Sequence, residues 1–194
     1  NNSSHIEILG TDILKEIQNE NKPVIFVSGH FANFELMSME LTKRNIKLAT
    51  IYRPLNNFFL NPLMEYLRKK YICKNQIKKG INGVKSTIEF IKNGYNIALM
   101  IDQRVSEGEA IKFFNRSAKT TTIPAQLANK YGCSIVPVYI ERINKFHFKL
   151  YFNKPIKFDD KFSVEQISLE LNKILEKMIL KKPDQWIWSH NRWK

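Results

Sequence analysis

The residues best suited to chemistry in this chain are a histidine and a glutamate five positions apart, His30 and Glu35. A carboxylate that accepts the proton of one imidazole nitrogen leaves the other nitrogen free as a base near neutral pH. The pair could therefore take a proton from a hydroxyl group. The spacing alone is weak support, because about 0.4 such pairs are expected by chance with four histidines and 18 acidic residues. The alternative is that His30 caps a helix and Glu35 is a solvated helical residue.

The surroundings of His30 predict a strand, a tight turn and a helix. Residues 24–27 are Val-Ile-Phe-Val, which is typical of a buried strand, and Gly29 is the first residue free to adopt unusual backbone angles. An amphipathic helix is expected from about Ala32. His30 would then lie at the carboxyl end of a strand, where open α/β sheets form their ligand crevices.

Two further strands are predicted to end in polar residues. One covers residues 46–52 and is followed by Arg53 and Pro54, and the other covers residues 96–101 and is followed by Asp102 and Arg104. If these strands are parallel, Arg53, Asp102 and Arg104 share one crevice with His30. The alternatives are that Arg53 is a surface turn residue and that Asp102 caps a loop.

The remaining patterns complete a single α/β domain over residues 1–194, with a mixed, mostly parallel sheet flanked by helices. Residues 163–166, Ser-Val-Glu-Gln, form a capping box that starts the last long helix. The other expected elements are helices over residues 6–17, 62–70, 83–92, 124–132 and 163–180, a strand over 134–142, and an antiparallel strand over 146–152.

The composition is that of a globular chain, with 43% hydrophobic residues. Cys73 and Cys133 lack metal-ligand spacing and are too few for a disulfide scaffold, so we expect free thiols in a reducing cytoplasm. No apolar run reaches 18 residues, so no membrane-spanning helix is encoded. Because the first residue is not Met, we interpret the chain as a fragment that has lost an N-terminal segment.

The net charge of +13 points to nucleic acid, an anionic membrane surface or an acidic protein as partner. No acidic residue occurs between Glu65 and Glu89. A nucleic-acid-binding module is disfavoured because the 13 Phe and seven Tyr lie in apolar patterns and are not interleaved with basic residues. A general preference for lysine would also explain the charge. The basic residues of this stretch are Arg68, Lys69, Lys70, Lys74, Lys78, Lys79 and Lys85.

Six blocks follow one another along the chain: residues 29–35 (Gly-His-Phe-Ala-Asn-Phe-Glu), 52–54, 102–104, 113–128, 135–142 and 185–193. Together they resemble a known family, the late acyltransferases of lipid A biosynthesis (the lauroyl and myristoyl transferase group), within the lysophospholipid acyltransferase superfamily. Phe34 stands where the family often has Trp, Asn115 and Ser117 replace a common Gly and Pro, and the N-terminal membrane helix typical of members is missing.

The resemblance implies a glycerolphosphate-acyltransferase-like fold and an acyl transfer reaction. His30 would be the general base and Glu35 its orienting partner, and no metal or cofactor is expected. The residues expected to bind substrate are Arg53, Asp102, Arg104, Gly29 and Asn33. The absence of a Gly-x-Ser-x-Gly elbow speaks against a serine hydrolase.

The same resemblance implies the partners. The donor would be an acyl thioester on acyl carrier protein, and the acceptor would be a hydroxyl of a phosphorylated lipid A precursor. The enzyme would lie at the cytoplasmic face of the inner membrane, on an anionic surface, peripherally or through the missing anchor. The alternative is transfer from coenzyme A to a lysophospholipid or glycolipid, which would use the same base.

The last residues, 185–194, mix tryptophans with cations. Trp186, Trp188 and Trp193 alternate with His190 and Arg192, a combination that suits a membrane interface. The equally weighted alternative is that these tryptophans pack against the core.

Overall fold

The computed structural model describes residues 5–193 and contains a seven-stranded sheet with helices on its faces. The order in the sheet is β1-β9-β8-β2-β5-β3-β4, and every neighbouring pair is parallel except β8 with β9. This confirms the mixed, mostly parallel sheet. The strands are β1 (Ile6–Leu9), β2 (Val24–Ser28), β3 (Leu48–Tyr52), β4 (Asn75–Lys78), β5 (Asn96–Met100), β6 (Glu109–Phe113), β7 (Arg116–Thr120), β8 (Ser134–Arg142) and β9 (Phe148–Phe152).

Six α-helices connect or flank these strands, and a short 3-10 turn at Pro183–Gln185 follows the last of them. The predicted capping box is confirmed: the Gln166 amide donates to Ser163 Oγ over 3.1 Å, and the Ser163 amide donates to Gln166 Oε1 over 2.8 Å. The helices are α1 (Thr11–Glu20), α2 (Glu35–Lys43), α3 (Leu60–Tyr71), α4 (Ile81–Lys92), α5 (Ile123–Tyr131) and α6 (Val164–Lys181).

β2 lies at the centre of the sheet, and all five of its residues are buried. It pairs in parallel with β5 on one side and β8 on the other, so its carboxyl end lies beside that of β5. A buried amide holds the other end, because Asn96 Oδ1 accepts the Val24 amide over 2.9 Å and Asn96 Nδ2 donates to the Lys47 carbonyl over 3.0 Å. This clamp fixes the relative height at which β2, β3 and β5 begin.

The expected helix over residues 6–17 is wrong. Ile6–Leu9 forms β1, which pairs in parallel with β9, and α1 begins only at Thr11. Gly10 separates the two with φ 88°, and a side chain there would collide with the carbonyl of Phe152. The strand expected over 146–152 is antiparallel to β8, as predicted.

The antiparallel hairpin of β6 and β7 lies outside the main sheet and packs on α6. Only its apolar side is buried, through Ile111, Phe113, Ala118 and Thr120. The sequence shows only a short apolar run here, residues 111–114, and does not by itself predict the hairpin. Among the helices of residues 5–193, none has both the length and the apolar character that crossing a bilayer requires.

Candidate active site

A cavity of about 440 Å³ opens at the carboxyl ends of β2, β3 and β5. His30, Arg53 and Arg104 line it, so the side chains expected to converge at this edge do so. Asp102 lies directly behind His30. The other polar lining residues include Glu35, Arg68, Gln76, Lys79 and His190.

The imidazole of His30 pairs with Asp102. Its Nδ1 lies 2.7 Å from Asp102 Oδ1, and the ring of Phe34 packs edge-on against it with centroids 4.5 Å apart. An ionised carboxylate accepts hydrogen bonds, so this contact places a proton on Nδ1. Nε2 makes no hydrogen bond within the described residues and is then free to act as a base.

Asp102 is only 2% exposed and accepts two further hydrogen bonds. The His30 amide and the indole Nε1 of Trp186 each donate to Oδ2 over 2.8 Å. Burial raises the pKa of Asp102, but the hydrogen bonds from His30 and Trp186 and the charge of the imidazolium outweigh it and lower the pKa below its usual value. The carboxylate therefore stays ionised at neutral pH.

The C-terminal segment also holds the backbone of the His30 turn. The Ala32 amide donates to the Gln185 carbonyl over 2.8 Å, and the Ile187 amide donates to the His30 carbonyl over 3.1 Å. Ala32 has φ 43°, an unusual angle for alanine. These bonds keep the turn in that conformation and so fix the direction of His30.

Glu35 does not make the hydrogen bond expected with His30. It is the first residue of α2, and its Oε1 accepts a hydrogen bond from Nε of Arg68 over 2.8 Å and lies 2.8 Å from Nη2 of the same guanidinium in an ion pair. The carboxylate that orients the imidazole in this structure is Asp102, because β5 brings it against the ring while α3 brings Arg68 to Glu35. Glu35 still lines the cavity.

Gly29 serves packing and not backbone freedom. It is not among the residues with positive φ, so the freedom that glycine has to adopt a left-handed conformation is not used here. A side chain there would come within 2.9 Å of the Phe31 ring and 3.0 Å of Leu175. Asn33 lies in the turn before α2, where its carbonyl accepts the Leu36 amide over 3.1 Å. Neither Gly29 nor Asn33, both expected to bind substrate, lines the cavity.

His190 is a site residue that the sequence interpretation assigned only to the tail. The Arg104 amide donates to His190 Nε2 over 3.0 Å, so the remaining ring proton is on Nδ1. Burial, the largest cause, lowers the pKa of His190; the charge of Asp102, next in size, raises it, and the smaller effects of His30, Arg192 and Arg53 lower it further, so that the net shift is downward. His190 is therefore a neutral donor in the cavity wall at neutral pH.

The tail packs into the protein, as one of the two alternatives predicted. Trp186 is 4% exposed, and Arg192 is fully buried across the Phe113 ring. Arg192 donates to the Lys119 carbonyl and to Thr120 Oγ1, each over 2.7 Å, and burial lowers its pKa to about 10. Trp188 remains largely exposed.

The cavity offers cations and hydrogen bond donors more than metal ligands. No group of three His, Cys, Asp or Glu side chains among residues 5–193 could hold a metal ion. The arrangement suits a base that acts beside positive charges, as in attack by a hydroxyl on an acyl carbon.

Similarity to known proteins identifies the family. The profile of the bacterial lipid A biosynthesis acyltransferases matches residues 2–194. The chain is 28% identical over 192 residues to the lipid A biosynthesis palmitoleoyltransferase of Escherichia coli (strain K12), covering 97% of the chain and 61% of that relative. It is 24% identical over 193 residues to the lipid A biosynthesis lauroyltransferase of the same organism, again covering 97% and 61%. The chain thus spans about three-fifths of the length of these relatives and belongs to the bacterial lipid A biosynthesis acyltransferase family.

Proposed function

We propose that the chain carries the catalytic site of an acyltransferase that moves a fatty acyl group from an acyl carrier protein thioester to a hydroxyl of a lipid A precursor. The observation that carries this proposal is the pairing of His30 Nδ1 with the buried Asp102 carboxylate at the wall of the cavity. Membership of the family supplies the substrate class.

In the proposed reaction His30 is the general base. Nε2 takes the proton of the acceptor hydroxyl while its oxygen attacks the thioester carbonyl carbon. The tetrahedral oxyanion then collapses and breaks the C–S bond, and the leaving thiolate receives the proton from Nε2. Asp102 holds the imidazole in one tautomer and stabilises the imidazolium between these steps.

The charges around the cavity suit both the oxyanion and a phosphorylated acceptor. Arg53 and Arg104 follow β3 and β5, and neither forms an ion pair within the described part of the chain. A planar guanidinium can hold a phosphate or a developing oxyanion in fixed geometry. The single carboxylate among the lining residues, Glu35, is neutralised by Arg68.

The lipid acceptor places the enzyme at the cytoplasmic face of the inner membrane, as a peripheral protein or through a segment outside this sequence. Acyl carrier protein is an acidic donor that fits the net charge of +13. Coenzyme A would present the same thioester to His30, so the test compares the two acyl donors, carrier protein and coenzyme A, separately.

The test is to incubate the protein with acyl thioesters of several chain lengths, on acyl carrier protein or on coenzyme A, and with a tetra-acylated lipid A precursor or a lysophospholipid. Mass spectrometry identifies the products. We expect one acyl chain to be added to the lipid A precursor from the carrier protein, and none with His30→Ala. Turnover only with coenzyme A and a lysophospholipid would replace the proposed substrates, and activity of His30→Ala above about a tenth of the parent would remove the base.

A further inference from the structure

Helix α3 and the loop before it present an apolar tip to solvent. Phe58 and Phe59 are 82% and 88% exposed, and their rings contact each other edge-to-face with centroids 5.9 Å apart. Leu60 and Leu63, in the first turn of α3, are 50% and 53% exposed. We call these four residues the Phe58 tip. Adjacent exposed aromatic residues of this kind mark an interaction site more often than isolated ones do.

The first turns of α3 expose apolar side chains, while two charged side chains of the helix face the body. No residue of α3 is buried. Its charged side chains Glu65 and Arg68 are only 19% and 16% exposed, because they face the protein and pair with Lys78 and Glu35. A surface helix ordinarily turns its apolar residues inward and its charges to water. In α3 the two ion pairs and the half-buried Met64 and Leu67 face the body, and Leu60 and Leu63 are left outside.

The other end of α3 is basic. Lys69 and Lys70 are exposed in its last turn, and Lys74 follows it. Lys70 Nζ lies 5.4 Å from the ring of Tyr66 and 5.1 Å from the ring of Tyr71, both of which are exposed. An apolar tip, tyrosines and then lysines along one helix match the order of acyl chains, interface and phosphates in an anionic leaflet.

We propose that the Phe58 tip inserts into an anionic membrane surface, with Lys69, Lys70 and Lys74 resting on its phosphates, and that this contact places the cavity mouth at the headgroups. Residues 53–56 line the cavity and lead directly into Phe58. A lipid acceptor could then reach His30 without leaving the membrane. This inference rests on the proposed function, because placing the cavity mouth at the headgroups helps the reaction only if the acceptor is a lipid. An acidic soluble protein would fit the lysines but would leave the phenylalanines in water.

The test measures binding to vesicles of phosphatidylcholine mixed with phosphatidylglycerol, and to vesicles of phosphatidylcholine alone, by cosedimentation. We expect the double variant Phe58→Ser/Phe59→Ser to bind mixed vesicles about 10- to 100-fold more weakly than the parent. Lys69→Glu/Lys70→Glu should lose about tenfold on mixed vesicles and almost nothing on phosphatidylcholine alone.

Matched controls lie in the segment between β9 and α6, where the Phe162 carbonyl accepts a hydrogen bond from Asn129 of α5. Phe162→Ser removes an exposed phenylalanine there, and Lys154→Glu/Lys157→Glu makes the same change in net charge. Both should bind mixed vesicles like the parent. In addition, Phe58→Trp fluorescence should be quenched by lipids with brominated chains.

These measurements need no turnover, so they are independent of whether the proposed acyl transfer is found. Unchanged vesicle binding of Phe58→Ser/Phe59→Ser, or an equal loss in Phe162→Ser, would overturn the proposal. Loss of carrier protein binding with intact vesicle binding would overturn it in favour of a protein-docking surface. Thermal melting of each variant checks that the fold is retained.

Discussion

Two stretches of this chain mix aromatic residues with cations, and they have opposite fates in the structure. Residues 185–193 fold inward, where Trp186 donates to Asp102 and Arg192 is buried against Phe113. Residues 58–71 stay outside, with both phenylalanines largely exposed. The difference is the availability of partners: the tail meets a buried carboxylate and free carbonyls, whereas α3 has no fully buried residue and is held to the body in part by the ion pairs of Glu65 and Arg68. Aromatic and basic composition alone therefore does not identify a membrane contact.

The largest expected effect is on turnover, and it distinguishes Asp102, which contacts the tail, from Glu35, which contacts α3. Asp102→Asn should reduce turnover about 10²- to 10⁴-fold, because an amide cannot hold His30 with its proton on Nδ1 as a carboxylate does. Glu35→Gln should cost less, since Glu35 contacts Arg68 and not the imidazole. Initial rates of acyl transfer measure both. Comparable losses in the two variants would show that Glu35 also acts on His30 during the reaction.

A second comparison uses two tryptophans of the tail. Trp186→Ala should lower the free energy of unfolding by about 3–5 kcal/mol, because it empties a buried site and removes a hydrogen bond donor from Asp102. Trp188→Ala should cost much less, since the ring is mostly exposed and its Nε1 bonds only the Pro183 carbonyl. Urea denaturation gives both values. Equal costs would contradict the inward packing of Trp186.

A third comparison separates two kinds of basic residue by salt. Arg53→Lys should reduce turnover about tenfold at every ionic strength, because lysine cannot reproduce a planar, bidentate contact. Reversing Lys69 and Lys70 should mainly weaken capture of acidic partners at low salt, with the difference fading as the Debye length falls to about 8 Å. Rates measured over a series of salt concentrations distinguish the two. The two roles would be contradicted if Arg53→Lys had the turnover of the parent, or if the lysine reversals had the same effect at every salt concentration. The basic stretch would then reflect the general preference of this chain for lysine.

The smallest expected effect concerns His190 and pH. Its pKa is lowered on folding, so the unfolded chain binds a proton more readily, and His190 should make stability fall as pH drops through its ordinary pKa near 6.5. His190→Gln keeps an acceptor for the Arg104 amide without titrating. The melting temperature of this variant should decline less between pH 7 and pH 5 than that of the parent. Parallel declines would show that His190 does not contribute.

The convergence of His30, Arg53 and Asp102 could be predicted because all three directly follow apolar runs, and parallel strands bring their carboxyl ends together. The partner of His30 could not. Whether an imidazole turns towards Glu35, five residues on, or Asp102, 72 residues away, depends on side-chain direction and on Arg68 competing for Glu35. The short separation in sequence favoured Glu35 as the partner of His30, but in the folded protein Asp102 contacts the imidazole and Glu35 pairs with Arg68.

Edge strands were the other source of error. β1 is four residues long with alternating burial, and Ile6 and Leu9 also fit a helical spacing, so its assignment depends on β9 far along the chain. β4, Asn75–Lys78, was not predicted because only Ile77 of its four residues is buried. Strands with one partner carry too little apolar sequence to be recognised without that partner.

The hydrogen bond from Trp186 to Asp102 joins residues 84 positions apart and has a consequence for synthesis. Ribosomes release a chain from its N-terminus at about 5–20 residues per second, so β2 and His30 emerge well before Trp186. Until the tail has emerged, Asp102 lacks its indole donor and the His30 turn lacks its bonds to Gln185 and Ile187. A translation product cut short before Trp186 would carry His30, Asp102 and the central strands without an ordered base. The bonds that hold the His30 turn and Asp102 in place therefore form only after synthesis has passed residue 187.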